Sequence, residues 1–367
     1  MTIWFITNDA RDEAGGAFHS QKALIESLNR AGHKTVMIAT KKRGGEKTQS
    51  FEVRFMTAKG DLGRLFQLKT MIASDRPDAV VGNMNPQIIL VSLASLFPSV
   101  GCKVFGIFRM GDDFMKLGHS VLYLPLRRIL GWIFSKLDGA IAISDFTAEI
   151  VQKTYYLKQK PTTIYNPFDL AFIRDRAAND DPQFTKKTIV SVGRLCPQKA
   201  QRYLVLLAEK LREKREDFEI LIIGEGGDRA MLETMIAEGE LGAFVKLLGH
   251  QQNPFSFMAR ADCFVLTSAH EGFGRVVAES MALGVPVVAF RAPGGGHIEL
   301  LENGRGFLAP FGDIDALATI VNNLFDSPAT GQIAAQKASE FVETLTTEKI
   351  AAQLVDLIIS KFAQQSN

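Results

Sequence analysis

Residues Ala261 to Phe290 read ADCFVLTSAHEGFGRVVAESMALGVPVVAF. The apolar run CFVLTS, the glycine turn at Gly272 and Gly274, a helix-periodic stretch from Arg275 to Leu283 stopped by Gly284, and the run PVVAF predict strand, turn, helix, strand. In such a unit the helix N-terminus opens at the carboxyl edge of a parallel sheet. Free backbone N–H groups and the helix dipole favour a phosphate there. Glu271 stands on the turn and Glu279 inside the helix, eight residues on. The first can accept hydrogen bonds from sugar hydroxyls, and the second can reach a ribose. Two glutamates at this spacing are as readily solvated surface residues; the glycine turn between flanking strands favours a site.

Outward from this unit, strand-like and amphipathic helical runs alternate, the pattern of a parallel sheet covered on both faces. The first half offers TIWFIT, KTVMIA, EVRFM, AVVG, KVFGIF and GAIAIS as strands; the second restarts with TIVSVG, EILIIG, VKLLG, CFVLTS and PVVAF. Asn166 to Lys187, rich in charge, Asn and Pro, reads as the linker. The expected architecture is two doubly wound α/β domains, 1–168 and 169–345, facing each other across a cleft. Residues 346–367 add a C-terminal helix with one apolar face, which could return to the first domain.

Two further loops suit a phosphate. In TIVSVGRLCPQKAQRYLVLLAEKL a strand ends at Gly193, Arg194 follows, and Lys199 stands near the start of a helix. Two cations at a strand-to-helix loop can neutralise charge that grows on a departing phosphate. Alternatively, they are exposed cations at an edge. Near the N-terminus, Gly15 and Gly16 let backbone N–H groups approach a ligand without interference from Cβ. Gly224-Glu225-Gly226-Gly227 begins G-x-G, but Arg229 stands where the dinucleotide fingerprint needs glycine. That turn is expected to serve close packing, with no nicotinamide implied.

Composition describes an ordinary α/β protein of 367 residues with a net charge of +2, which gives no reason to expect nucleic acid as a partner. The charge is uneven: 24 Lys+Arg against 18 Asp+Glu up to Thr185, and 18 against 22 beyond it. A basic first half could face an anionic membrane or a phosphorylated acceptor. Cys102, Cys196 and Cys263 are an odd, scattered set, expected reduced, as in a cytoplasmic protein. The start MTIWFITNDARDE lacks a basic n-region and reads as a first strand, not as a signal peptide. No apolar stretch is long enough to suggest a transmembrane helix. The six histidines occur singly, without metal-ligand spacing.

VGRL…QK, IIGEG, VKLLG, EGFG…E and GVPVVAF, in that order and spacing, resemble the C-terminal half of the family 4 glycosyltransferases, retaining enzymes of the GT-B fold. TIYNPFD, with Asn166 and Asp169, resembles their interdomain segment, and AIAISDFTAEIV the helix before it. The resemblance implies that Arg194 and Lys199 hold a donor diphosphate beside Gly193, that Glu279 binds the ribose, and that Glu271 meets hydroxyls of the transferred sugar. It also implies that the amides of Phe273 and Gly274 lie near sugar and phosphate, that backbone around Lys246 to Gly249 holds the base, and that Gly16 approaches the phosphate. No cofactor or metal is implied, so Asp313-Ile314-Asp315 reads as a capped helix start.

Two departures stand out. Many members of the family it resembles carry a His in the acceptor-domain loop after the fifth strand; here the loop reads Phe108-Arg109-Met110-Gly111-Asp112-Asp113, and the resemblance leaves Asp112 or Asp113 to take over that contact with acceptor or sugar. Ala200 follows Lys199 where glycine is common.

The expected activity is transfer of a hexose or N-acetylhexosamine from a nucleotide-diphosphate sugar, UDP favoured, to an acceptor hydroxyl of a glycan or lipid-linked acceptor. A sugar-nucleotide epimerase and a catalytically silent binding subunit of the same architecture remain open. Finally, Phe114 to Leu137 sets Leu122, Leu124, Leu126, Ile129, Leu130, Trp132 and Ile133 among Lys116, Arg127, Arg128 and Lys136, with Pro125 dividing it into loop and helix. This is the make-up of an interfacial helix at the inner face of a membrane, or equally of an amphipathic helix packed on a sheet.

Overall fold

All eleven strand-like runs form strands, and every pairing between them is parallel. The computed structural model describes residues 1–8, 16–41, 50–97, 101–109, 124–180, 182–292 and 294–364. The chain divides into two compact units, Met1–Phe168 with Leu345–Asn367, and Asp169–Thr344.

The first unit runs β1 (Thr2–Thr7), α1 (Gly16–Arg30), β2 (Lys34–Ala39), β3 (Glu52–Phe55), α2 (Gly60–Asp75), β4 (Ala79–Asn83), α3 (Asn85–Ala94), β5 (Lys103–Phe108), α4 (Leu124–Phe134), β6 (Gly139–Ala142), α5 (Asp145–Tyr155) and β7 (Thr162–Thr163). Its sheet order is β3-β2-β1-β4-β5-β6-β7. The second unit runs α6 (Leu170–Ala178), β8 (Lys187–Val192), α7 (Arg202–Arg212), β9 (Phe218–Ile223), α8 (Arg229–Glu238), β10 (Val245–Gly249), α9 (Pro254–Arg260), β11 (Cys263–Leu266), β12 (His270–Glu271), α10 (Arg275–Ala282), β13 (Val287–Arg291), β14 (Gly294–Gly295), α11 (Gly296–Leu301), β15 (Phe307–Pro310), α12 (Ile314–Asp326) and α13 (Pro328–Val342). Its main sheet is ordered β10-β9-β8-β11-β13-β15. The last helix, α14 (Thr347–Ala363), belongs to the first unit: it buries Ile350, Leu354 and Ile358, and Glu348 pairs with Arg30 of α1 at 3.1 Å.

Strands β4, β5, β9 and β11 are buried along their whole length, because helices cover both sheet faces; hence their unbroken apolar sequences. Register is fixed by a repeated device. The aspartate just before a strand accepts a hydrogen bond from the first turn of backbone of its neighbour: Asp78 from Thr2 at 2.7 Å, Asp138 from Val104 at 2.8 Å, Asp262 from Thr188 at 2.8 Å. Asp138 and Asp262 also pair with Lys103 and Lys187 at the starts of those neighbours.

The linker reading of 166–187 needs correction. Asp169 caps α6 by accepting from Phe172 N, and Leu170, Ile173 and Ala177 are buried at helical spacing. The sequence hides this helix because its hydrophobic face is short and interrupted by Arg174, Asp175 and Arg176. The strand β15 and the two-residue strands β7, β12 and β14 were also not anticipated.

Gly224 and Gly226 bring the ends of β8 and β9 together as expected. A Cβ on Gly226 would lie 2.1 Å from the Leu195 carbonyl oxygen, whereas one on Gly227 would meet nothing within 4 Å. Gly226→Ala should therefore cost about 1–3 kcal/mol, the usual cost of overpacking. Gly227→Ala should stay within about 0.5 kcal/mol of the parent. Calorimetric melting of the two variants side by side checks this; equal losses would contradict it.

Candidate functional site

In the second unit the chain reverses its direction of strand addition between β8 and β11, which lie side by side with Cys263 against Ile189 and Phe264 against Val190. Loops leaving two such strands diverge and open a crevice at their carboxyl ends. Here the crevice is bridged by charge. Lys199 Nζ lies 2.6 Å from Glu271 Oε1, and Ser268 Oγ donates to the same oxygen at 2.8 Å. Both partners are largely buried, with side-chain exposures of 17% and 10%.

Backbone and amide contacts stitch the two loops together. Ala269 N donates to Gln198 O at 2.8 Å, Gln198 Nε2 to His270 O at 3.1 Å, and Thr267 Oγ1 to Lys199 O at 3.0 Å. Lys199 sits in a turn before α7, its N–H bonded to Cys196 O at 2.9 Å. Ala200 closes that turn at φ +50, the left-handed region. An alanine there costs about 1–2 kcal/mol over glycine, of which its buried methyl recovers about 0.8 kcal/mol; the strain that remains is small beside the stability of a domain of this size.

The Glu271 turn rests on a glycine cradle. His270 and Glu271 pair with Gly294 and Gly295 as a two-stranded parallel ribbon. A Cβ on Gly294 would lie 2.4 Å from His270 Cβ, one on Gly296 2.1 Å from Gly272 O, and one on Gly274 2.7 Å from His297 Cβ. Gly274 also takes φ +86 as the N-cap of α10; it offers no side-chain cap, and the first turn holds no acid. The positive end of this helix is therefore not offset by a carboxylate of its own first turn.

Four residues of this region were not singled out by sequence: Ser268, Arg275, Gln198 and His297. His297 is fully buried, its Nε2 2.8 Å from Phe290 O, and its Nδ1 has no hydrogen-bond partner. The triple glycine before it was the available signal.

The two glutamates differ electrostatically. Burial alone would raise the Glu271 carboxyl, but the charge and hydrogen bond of Lys199, with Ser268, outweigh it and hold the group below the ordinary carboxylate range. Burial pushes the Glu279 carboxyl up, against the opposing pull of Arg275, whose Nε lies 2.8 Å away. Burial likewise lowers His297, which is thus neutral near pH 7.

Arg194 is exposed at the same edge, its carbonyl held by Gln201 Nε2 at 2.8 Å. Gly193 lies under the Lys199 stem, Phe273 is buried, and Gly249 takes φ +68 while its carbonyl accepts from Gly224 N at 2.8 Å. The structure thus gathers Gly193, Arg194, Lys199, Gly249, Glu271, Phe273, Gly274 and Glu279 at the carboxyl edge and adjoining helix of one sheet. Gly16 belongs to the other unit, as the first residue of α1, and Asp112 and Asp113 lie outside the described residues. Asp313 caps α12 by accepting from Ala316 N. Among the described residues no cluster of three His, Cys, Asp or Glu could hold a metal ion.

The family profile described as Glycosyl transferases group 1 matches residues 174–341, and that described as Glycosyltransferase Family 4 matches residues 14–172. A lipopolysaccharide core biosynthesis glycosyltransferase of Rhizobium meliloti is 26% identical over 78% of each chain. An N-acetylgalactosaminyltransferase of Campylobacter jejuni, named for a diphospho-undecaprenol-linked acceptor, is 31% identical over 51% of this chain and 48% of that one. The chain spans between about half and three quarters of the length of the curated relatives it matches. In fold, an Anabaena protein solved with UDP superposes with a TM-score of 0.78 at 20% identity, covering 98% of this chain and all of that one.

Removing one partner of the buried pair leaves the other uncompensated, a loss of about 3–5 kcal/mol. In the parent, the stability from Glu271 is full above its ordinary value and is lost as pH falls through the lowered one. In Lys199→Met only burial and weaker contacts act, the carboxyl is raised, and its contribution is lost as pH rises. The melting-temperature gap between parent and Lys199→Met should therefore widen from about pH 4 to about pH 7. Lys199→Met with Glu271→Gln should recover most of it. A gap that ignores pH would contradict the pairing.

Proposed function

The chain belongs to the group 1 and family 4 glycosyltransferases, with the GT-B fold, and from that premise we propose that it transfers a hexose or N-acetylhexosamine from a UDP-sugar to an acceptor hydroxyl with retention. The observation that carries this reading is the Lys199–Glu271 pair at the strand reversal, beside a helix whose N-terminus carries no capping carboxylate.

In this reading Arg194 and Lys199 hold the donor diphosphate with backbone at Gly193 and Gly274. Glu279, steadied by Arg275, takes the ribose, and backbone to Gly249 takes the base. Glu271 orients hydroxyls of the transferred sugar. As the bond from the anomeric carbon to the phosphate oxygen breaks, negative charge grows on the leaving diphosphate, where the two cations stabilise it. The acceptor oxygen bonds to the anomeric carbon on the face the phosphate vacates, and its proton passes to a phosphate oxygen. No metal takes part. Relatives named for lipopolysaccharide core synthesis and for a diphospho-undecaprenol-linked acceptor support a glycan or lipid-linked acceptor, with the enzyme at the inner face of the membrane.

Arg194→Ala, Lys199→Ala and Glu271→Ala should each reduce transfer at least about a hundredfold, the scale of losing one preorganised charge contact. Product analysis by mass spectrometry with UDP-sugars checks it; near-parental turnover in two of the three would refute the assignment, and epimerised donor without acceptor would transfer it to an epimerase. Chelator should leave turnover unchanged. UDP alone should raise the melting temperature, and Glu279→Ala should weaken UDP more than Glu271→Ala does; calorimetry showing equal losses would mean the roles are wrongly divided.

A further inference from the structure

The two ring nitrogens of the fully buried His297 are held unequally. Nε2 lies 2.8 Å from Phe290 O, and a carbonyl oxygen only accepts, so Nε2 carries the hydrogen. That leaves Nδ1 as a lone pair, buried and without a hydrogen-bond partner. A buried polar atom left unpaired calls for a physical reason. Its surroundings supply one. Gly295, two residues before His297, pairs with Glu271, and a Cβ on Gly274 would lie 2.7 Å from the His297 Cβ, so the imidazole springs from a backbone pressed against the turn that carries Glu271.

Among the described residues two charges act on the ring: Glu271 favours its protonated form, and Lys199 opposes it. The other charged groups nearby are engaged or lie on its own element. Helix α10, packed against α11, carries Arg275 and Glu279 as a pair at 2.8 Å; β13 ends in Arg291, 3.6 Å from Glu302; β15, also packed against α11, has no titratable side chain; Glu299 lies on the helix of His297 itself. While Lys199 rests on Glu271 at 2.6 Å, burial and that ammonium together keep the ring neutral. Nδ1 is sealed too tightly to meet a ligand hydroxyl. A proton needs no such room.

We propose that His297 is a positioning residue that takes up a proton when a nucleoside diphosphate enters the crevice, and so replaces Lys199 as the cation beside Glu271. The proposal rests on the donor reading above and adds a proton that binds together with the donor. A diphosphate brings negative charge and competes for the Lys199 ammonium. Glu271, with a side chain only 10% exposed, would then hold a buried charge steadied by Ser268 alone, a costly state. The same anion offsets the cation that opposed protonation of His297. One proton from solvent binds the Nδ1 lone pair; the resulting imidazolium keeps Nε2–H on Phe290 O and sets its charge against the Glu271 turn. Glu271 thereby stays ionised and aimed while Lys199 serves the phosphate.

Calorimetry of UDP binding at about pH 7.5, repeated in HEPES and in Tris, reads the proton, because the apparent enthalpies differ by the protons exchanged with each buffer. The terminal phosphate of UDP, with a pKa of about 6, is already ionised there. The parent should take up about half a proton or more per UDP, the amount held by a histidine brought about one unit above its ordinary value of about 6.5. His297→Gln, whose amide can donate to Phe290 O but cannot ionise, should bind UDP with this uptake largely abolished. Since the complex holds the extra proton, the parent's affinity for UDP should fall as pH rises above about 7, by up to about tenfold per unit for one full proton. In His297→Gln it should be nearly independent of pH. Imidazole NMR on the parent with isotope-labelled histidine guards against a variant that fails to fold: a neutral ring protonated at Nε2 should become doubly protonated with UDP. UDP binding without uptake, uptake unchanged in His297→Gln, which would assign the proton to Glu271, Glu279 or His270, or a ring that stays neutral in the spectra overturns the proposal and leaves the donor reading standing. A parent that does not bind UDP overturns the donor reading and the proposal with it.

Discussion

The Lys199–Glu271 ion pair is the interaction on which the arrangement around the strand reversal depends. Withdrawing two charges from water costs several kcal/mol each, and their attraction repays it only at close range with further hydrogen bonds. The pair is thus worth little as net stability but strict as a constraint: neither loop can move without stranding a buried charge. Thr267, Gln198 and the backbone of Ala269 answer that constraint, each adding a hydrogen bond that fixes one loop against the other, while Ser268 steadies Glu271 within its own loop.

That constraint explains the glycines more fully than conformational freedom does. Only Gly274 of the cradle has a left-handed φ; Gly294 and Gly296 are needed because backbone lies where a side chain would be. With Cβ atoms at these positions, the segment bearing His297 would be pushed off the 270–274 turn, and Glu271 would lose the floor that aims it at Lys199. The glycine turn around Glu271 and the triple glycine twenty residues on are two halves of one close contact.

The sheets were legible because a strand buried on both faces is apolar throughout and can be read without knowing its neighbours. The aspartates before β4, β6 and β11, in PDAVV, LDGAI and ADCFV, could not be read as register pins, because that use depends on strand pairs the sequence does not display. Two-residue strands such as β12 and β14 have no period to detect. The helix α6 lay hidden beneath charged residues that face water. At the site, Arg194, Lys199, Glu271 and Glu279 could be chosen from loop and helix position. That Lys199 and Glu271 touch could not, since the contact spans 72 residues and follows from strand order.

The two glutamates show how placement divides similar side chains into unlike groups. Glu279 draws its cation from its own helix, one turn back, and that local pair does not overcome the cost of burial, so its carboxyl is raised. Glu271 draws its cation from a loop on another strand and gains a hydroxyl besides, and its carboxyl is lowered. The titration of Glu279 is thus set mainly by burial and its own helix, with a smaller pull from Lys199, whereas that of Glu271 is set across the strand reversal by Lys199 itself. One lysine bears on both carboxylates, but it is the leading partner of only one of them.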